Sequence, residues 1–436
     1  MSARILLTAH PMKSPILALS LAVALTSGAA AAPVPSAEQL KHFPKNLARH
    51  HVGTSLRQFD AATNTYVPSP AGAAWLDDDM ATGAAVPAGR HQYLLSLAQV
   101  ELLTDFGLSA RAVPGTVSLF AGDEAAAPTQ EKSWSVIGKD IPLAEVNEQL
   151  LSKPFSRAAK YFLLELNLEQ ATELYSLNLF GEKAAVSFRV AKREKSINAE
   201  KLLSGVNEKT AFSQASLYSK ATVRENDSAT DVLALQQAID DNPETSVTLS
   251  GAQQSTGLVI HMPQPRSISR VTVKAAEPTK GHFDVYLLNG SSPANTLPQG
   301  KPVATIKMDG TALRATAEFQ ATAATELRLR WMPETAAQNV AVNEVEAFAD
   351  TSLDQYAVTT EVEAIAEKYA DASKDGKSVA DPKDAKDAKE AVDAFDAVQS
   401  PTRGLRSMQE PVTGLIGLPQ PTNTPGRFIV DQPLSQ

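Results

Sequence analysis

Apolar residues in this chain recur at every second position, in two separate halves. In the first half Phe162, Leu164, Leu166 and Leu168 share one parity, and Leu177 and Leu179 continue the theme. In the second, Leu258, Ile260 and Met262 alternate, as do Val271 and Val273, Phe283, Val285 and Leu287, and Leu327, Leu329 and Trp331. Successive side chains of a strand point to opposite faces, so each run predicts a strand with one face buried and one face out. A helical core needs a period near 3.6, which neither half shows. Turn residues between the runs point to antiparallel sheets, and hence to an all-β chain.

The order of these features also repeats. Leu76-Asp77-Asp78-Asp79-Met80-Ala81-Thr82 parallels Ile239-Asp240-Asp241-Asn242-Pro243-Glu244-Thr245. Gly115-Thr116-Val117-Ser118-Leu119-Phe120-Ala121-Gly122 then parallels Gly281-His282-Phe283-Asp284-Val285-Tyr286-Leu287-Leu288-Asn289-Gly290, with one gap. Two copies of one sandwich is the economical explanation. We place the units at residues 47–185 and 217–350, joined by a connector at 186–216. A leader at 32–46 precedes them, and an Ala/Asp/Lys-rich, then Pro-rich, tail follows at 351–436. The tail has almost no apolar face, so it reads as solvated helix or disorder, with Leu415-Ile416-Gly417-Leu418 as a short segment for a partner.

Several function classes are disfavoured by composition. Across 436 residues the formal net charge is −9, and no domain is dominated by Lys and Arg, so a nucleic-acid footprint is not expected. The chain has no cysteine, which removes disulfides, thiolate metal sites and a lipid anchor on an N-terminal Cys. Arg4 and Lys13 precede the apolar run from Ile16 to Leu25, which ends in small residues from Gly28 to Ala32. That is a secretory signal peptide pattern, residues 1–31, with cleavage after Ala31; Met12 offers a second start beside Met1. No later stretch is long enough to span a bilayer. An exported protein without disulfides fits a bacterial periplasm or the extracellular space.

Catalytic signals are missing. The seven His are scattered, and His50-His51 reads as a surface pair. No zinc-protease helix motif, nucleophile elbow or phosphate loop is present, so a non-enzymatic protein is expected.

The second unit resembles the discoidin, or coagulation-factor type C, family of galactose-binding-like jelly rolls. The resembling residues are 238–245, Ile268 to Val273, Phe283 to Leu287, 324–330 and Val342 to Phe348; the first unit is similar but more divergent. The resemblance implies two galactose-binding-like β-sandwiches. It also implies a structural calcium ion in the acidic turn, with Asp240, Asn242, Thr245 and Glu344 as ligands. In the first unit Asp77, Asp79 and Thr82 match the turn, but Ser176 stands where Glu344 closes the second. The alternative is that these Asx residues only cap a turn. The family further implies a carbohydrate or cell-surface polymer as partner, recognised through rings and paired polar groups. Trp75 and Trp331 read as core, leaving Trp134 as the exposed candidate for the ligand. The rival reading is a structural protein whose sandwiches bind protein subunits.

Overall fold

The computed structural model describes residues 35–349 apart from 41, 70, 144–149, 182–187, 189, 191–210, 226–230, 253–256 and 291–299. The signal peptide, most of the connector and the tail lie outside the described residues.

Both halves fold as antiparallel β-sandwiches with almost no helix. The first contributes β1 (Ser55–Asp60), β2 (Thr65–Pro68), β3 (Ala84–Val86), β4 (Gly89–Ala110), β5 (Gly115–Gly122), β6 (Ser135–Pro142), β7 (Leu150–Leu168) and β8 (Thr172–Gly181). The second contributes β9 (Thr222–Glu225), β10 (Val247–Leu249), β11 (Gly257–Ala275), β12 (Lys280–Leu288), β13 (Ala304–Asp309), β14 (Arg314–Pro333) and β15 (Val340–Ala349).

Strand pairing is the same in both. In the first sandwich β4 pairs with β1, β7 and β8, β5 with β6 and β7, and β3 with β8. In the second β11 pairs with β9, β14 and β15, β12 with β13 and β14, and β10 with β15. Only β2 lacks a counterpart among the described residues. The long strands serve two layers each. Before the register break between Ser96 and Glu101, β4 pairs with β1; beyond it, from Leu103, β4 pairs with β8. β11 does the same around its break between His261 and Arg266, pairing with β9 before and β15 after. Such irregularities bend a strand, and here they carry it from one layer to the next.

Alternating residues fill the space between the layers. Phe106, Leu119, Phe162, Leu164 and Leu166 build the first core with Trp75, and Leu258, Ile260, Val271, Phe283 and Leu329 build the second with Trp331. Both tryptophans are therefore core, as their parity and neighbours indicate. Phe43, from the segment read as a leader, belongs to the second core. A buried side chain of this size contributes about 1.5–3 kcal/mol relative to exposure.

One departure from the one-face pattern positions the site. β8 and β15 are buried on both faces, although Ser176, Asn178, Glu344 and Glu346 are polar and alternate outward. They are covered at a seam between the sandwiches, where Arg49 bonds both Asn178 and Asp241 and the Met80 N–H donates to Glu346.

Candidate functional site: two acidic turns at a seam

Each acidic turn is assembled by the same local hydrogen bonds. In the first, the Asp79 N–H donates to Asp77 Oδ1 at 3.0 Å and the Ala81 N–H to Asp79 Oδ1 at 3.0 Å. In the second, the Asn242 N–H donates to Asp240 Oδ1 at 3.1 Å and the Glu244 N–H to Asn242 Oδ1 at 3.1 Å. Thr82 closes the first turn by giving its N–H and hydroxyl to Asp79 O, at 3.1 and 3.0 Å. Thr245 closes the second on Asn242 O, at 3.1 and 2.9 Å. A short Asx side chain reaching a backbone N–H two residues on produces this geometry from local sequence alone.

All four residues expected to form the metal site come together. Asp240 is fully buried and accepts the Thr245 hydroxyl on both oxygens, at 3.0 and 3.1 Å. Glu344 reaches the turn from β15 and accepts the Asp241 N–H at 3.1 Å. Register confirms the counterpart in the first sandwich. Glu344 pairs with Lys274 just before a break, and Ser176 pairs with Ser109 just before the equivalent break. Among the described residues no group of three or more His, Cys, Asp or Glu is placed to hold a metal ion. The second turn instead offers two carboxylates with amide, hydroxyl and carbonyl oxygens.

The turns face each other across the seam, and arginines cross it in both directions. Arg49, preceding β1, donates to Asp241 at 2.6 Å and to Asn178 Oδ1 at 3.1 Å. Arg270, on β11, grips Asp79 with two bonds of 3.0 and 2.6 Å while lying over the Phe348 ring. The Met80 N–H donates to both oxygens of Glu346 at 3.2 Å, and Arg314 donates to Met80 O. Pro243 holds the position equivalent to Met80 and has no N–H, so the second turn makes no such bond. The last residues of the connector join in, with Ser213 N–H on Asp78 and Gln214 N–H on Ala347 O.

Burial pushes Asp77, Asp240, Glu344 and Glu346 well above the usual carboxylate range, and neighbouring acids add to the effect. Asp240 and Asp241 raise Glu344, and Asp79 raises Glu346. Asp78 is the exception. Burial alone would raise it, but His51 at 2.9 Å, Arg49 and the Ser213 N–H outweigh that and hold it low.

Two expectations are corrected. Trp134, read as exposed, is 9% exposed: its ring packs on Leu94, Leu163 and Ala126, and its Nε1–H donates to Ala127 O. The polar residues before it form a flap that folds its ring onto the sheet. His51 is not on the surface either; it pairs with Asp78 and packs against the Tyr218 ring at a tilt of 59°, with centroids 4.1 Å apart. Arg49, Arg270, Asp241 and Glu346 were not singled out from sequence. Arg49 and Asp241 are 192 residues apart, as Arg270 and Asp79 are 191, and no local pattern links such partners.

No family model matches the sequence, and no curated protein does. Solved structures similar to this chain include a fucolectin from striped bass serum, at 12% identity and TM-score 0.27, covering 71% of this chain and 99% of that one. Allantoicase from Saccharomyces cerevisiae is similar at 10% identity and TM-score 0.26, covering 73% and 100%. A chitosan-binding module from a Paenibacillus chitosanase/glucanase is similar at 16% identity and TM-score 0.24, covering 31% and 98%. The functional reading therefore rests on the chain's own residues.

Proposed function

We propose that the chain is an exported, non-catalytic binding protein whose sandwiches recognise carbohydrate or a cell-envelope surface, with a structural calcium ion in its second acidic turn. One observation carries the reading: Asp240, Asn242, Thr245 and Glu344 converge at the position where the discoidin resemblance implies a cation. The fit is chemical. All the donors are oxygens, as a hard cation requires. Burial holds both carboxylates, Asp240 and Glu344, well above their ordinary range; Asp241 raises Asp240, and Asp240 and Asp241 raise Glu344. Calcium, when bound, supplies positive charge that favours the ionised form of both carboxylates. Asp240 and Glu344 would hold it directly, with Asn242 and Thr245 bracing the turn.

Retention of the full chain on immobilised polysaccharides, with calcium or with chelator, tests the function. Calorimetric titration of chelator-stripped protein with calcium tests the site separately. Absence of retention on every polysaccharide overturns the first, and absence of calcium heat overturns the second.

Burial of Trp75, Trp134 and Trp331 favours a second reading, because no tryptophan face is left for a sugar. In that reading the protein is an assembly component whose sandwiches bind protein subunits. A stoichiometric partner that co-purifies with the full chain and is lost on deleting residues 351–436 would support it.

A further inference from the structure

On the outer face of the first sandwich a depression of about 390 Å³ opens where β4 and β5 begin and β7 ends, walled by Arg90, Thr116, Asn167 and Glu169 over Gly89 and Gly115. Its size falls within the roughly 300–1,000 Å³ of small-molecule sites. Inward neighbours on the same strands, Val117 and Leu166, are fully buried, so parity turns Thr116, Glu165 and Asn167 outward.

The polar groups are pre-set. Glu165 Oε2 accepts from Arg90 at 2.7 Å and from Gln92 at 2.8 Å, and Asn167 also hydrogen-bonds this carboxylate. Burial would raise its proton affinity, but the bonds from Arg90 and Gln92 prevail and keep it low. The Arg90 side chain is 64% exposed yet tethered through one nitrogen, which leaves further N–H donors for a ligand. Three adjacent strands hold these groups, and sites on strands keep their geometry better than sites on loops.

Charge narrows the ligand class. Arg90 and Glu165 cancel, and Glu169 leaves the lining slightly negative, which disfavours acidic sugars. Donors and acceptors placed side by side suit vicinal hydroxyls. The side chains differ in the second sandwich: by register His282 and Met332 replace Thr116 and Asn167, and Pro333 replaces Leu168.

We infer that this depression is a glycan subsite for a neutral pyranose unit, with Arg90 donating to hydroxyls, Glu169 accepting from them and Glu165 positioning Arg90. The inference rests on the carbohydrate-binding reading above. It is tested by affinity electrophoresis of the full chain through gels containing starch, β-glucan, galactomannan or polygalacturonate. Wild type should be retarded by at least one neutral polymer. Arg90→Ala and Glu165→Gln should each weaken that retardation about tenfold or more, the cost of losing a charge-assisted bond. Both should keep the wild-type melting temperature, which separates positioning from folding, and His282→Ala should bind as wild type. Unchanged retardation of both variants overturns the subsite while the carbohydrate reading stands. Retardation by polygalacturonate alone overturns the ligand class. No retardation in any gel overturns the subsite and the carbohydrate reading together.

Discussion

In the first sandwich the acidic turn is closed by a guanidinium from its neighbour, whereas in the second it is closed by a carboxylate from its own last strand. Arg270 enters from β11 and takes Asp79 with two bonds; the equivalent residue, Asn242, is neutral and accepts the Glu244 N–H. Glu344 approaches the second turn from β15, and Ser176 replaces it on β8. The backbone of the turn is the same in both because its hydrogen bonds are local. What differs is the identity of a few side chains on the closing strands. The comparison teaches that one turn can take a neighbouring guanidinium in one sandwich and a carboxylate from its own last strand in the other.

The sharpest way to break the comparison is to remove the arginine that both sandwiches share. Arg49 is buried and bonds Leu177 O, Asn178 and Asp241. Arg49→Ala strands the Asp241 charge, and stability should fall by about 3–5 kcal/mol in denaturant unfolding. A loss under 1 kcal/mol would mean that the seam does not hold the halves together. Calcium comes next. At a hundredfold excess over its dissociation constant it should stabilise the wild type by about 2.7 kcal/mol and Glu344→Gln far less, measured as melting temperature with and without chelator. Equal shifts would place the ion elsewhere. Arg270→Ala should cost about 2 kcal/mol, since it removes a two-bonded charged contact while leaving Asp79 buried.

Smaller effects sharpen the likeness of the two sandwiches. Gly53 and Lys220 both follow a single 3-10 turn and both adopt left-handed backbone, with φ of 90° and 61°. Lys220→Gly should relieve strain and raise stability by about 0.5–1 kcal/mol, whereas Gly53→Ala should lower it. The last prediction concerns pH. Burial, with Asp79 next, raises the Glu346 proton affinity, so above the ordinary carboxylate range the native state holds a proton that the unfolded chain has released. The linked stability therefore falls as pH rises from about 4.5 through the raised native value. Glu346→Gln, which keeps an acceptor for the Met80 N–H, should match wild type in acid and become relatively more stable toward neutral pH. Parallel stability profiles for the two proteins would refute this.

Much of the framework was legible in sequence. Alternation located Phe162 to Leu168 and Leu258 to Met262 as half-buried strands, because period two leaves a strand no other way to hide its apolar side chains. Parity assigned Trp331 to the core, and repetition exposed both acidic turns and the Ser176–Glu344 difference. Sequence reasoning failed where contacts are distant. Trp134 sits among polar neighbours that suggest exposure, yet the flap carrying it lies back on Leu94 and Leu163. His51 looked like half of a surface pair and is instead sealed between Asp78 and Tyr218.

Local hydrogen bonding and side-chain periodicity, both short-range, were therefore set by the residues themselves: two all-β units, their cores and their turns. Only the tertiary structure decided that the polar faces of β8 and β15 would be buried, that Arg49 and Arg270 would cross between the sandwiches, and that Glu165 would hold Arg90 beside a depression. Those outcomes depend on which surfaces come together in space, and a charged residue carries no mark in its own sequence of the partner it will find far along the chain.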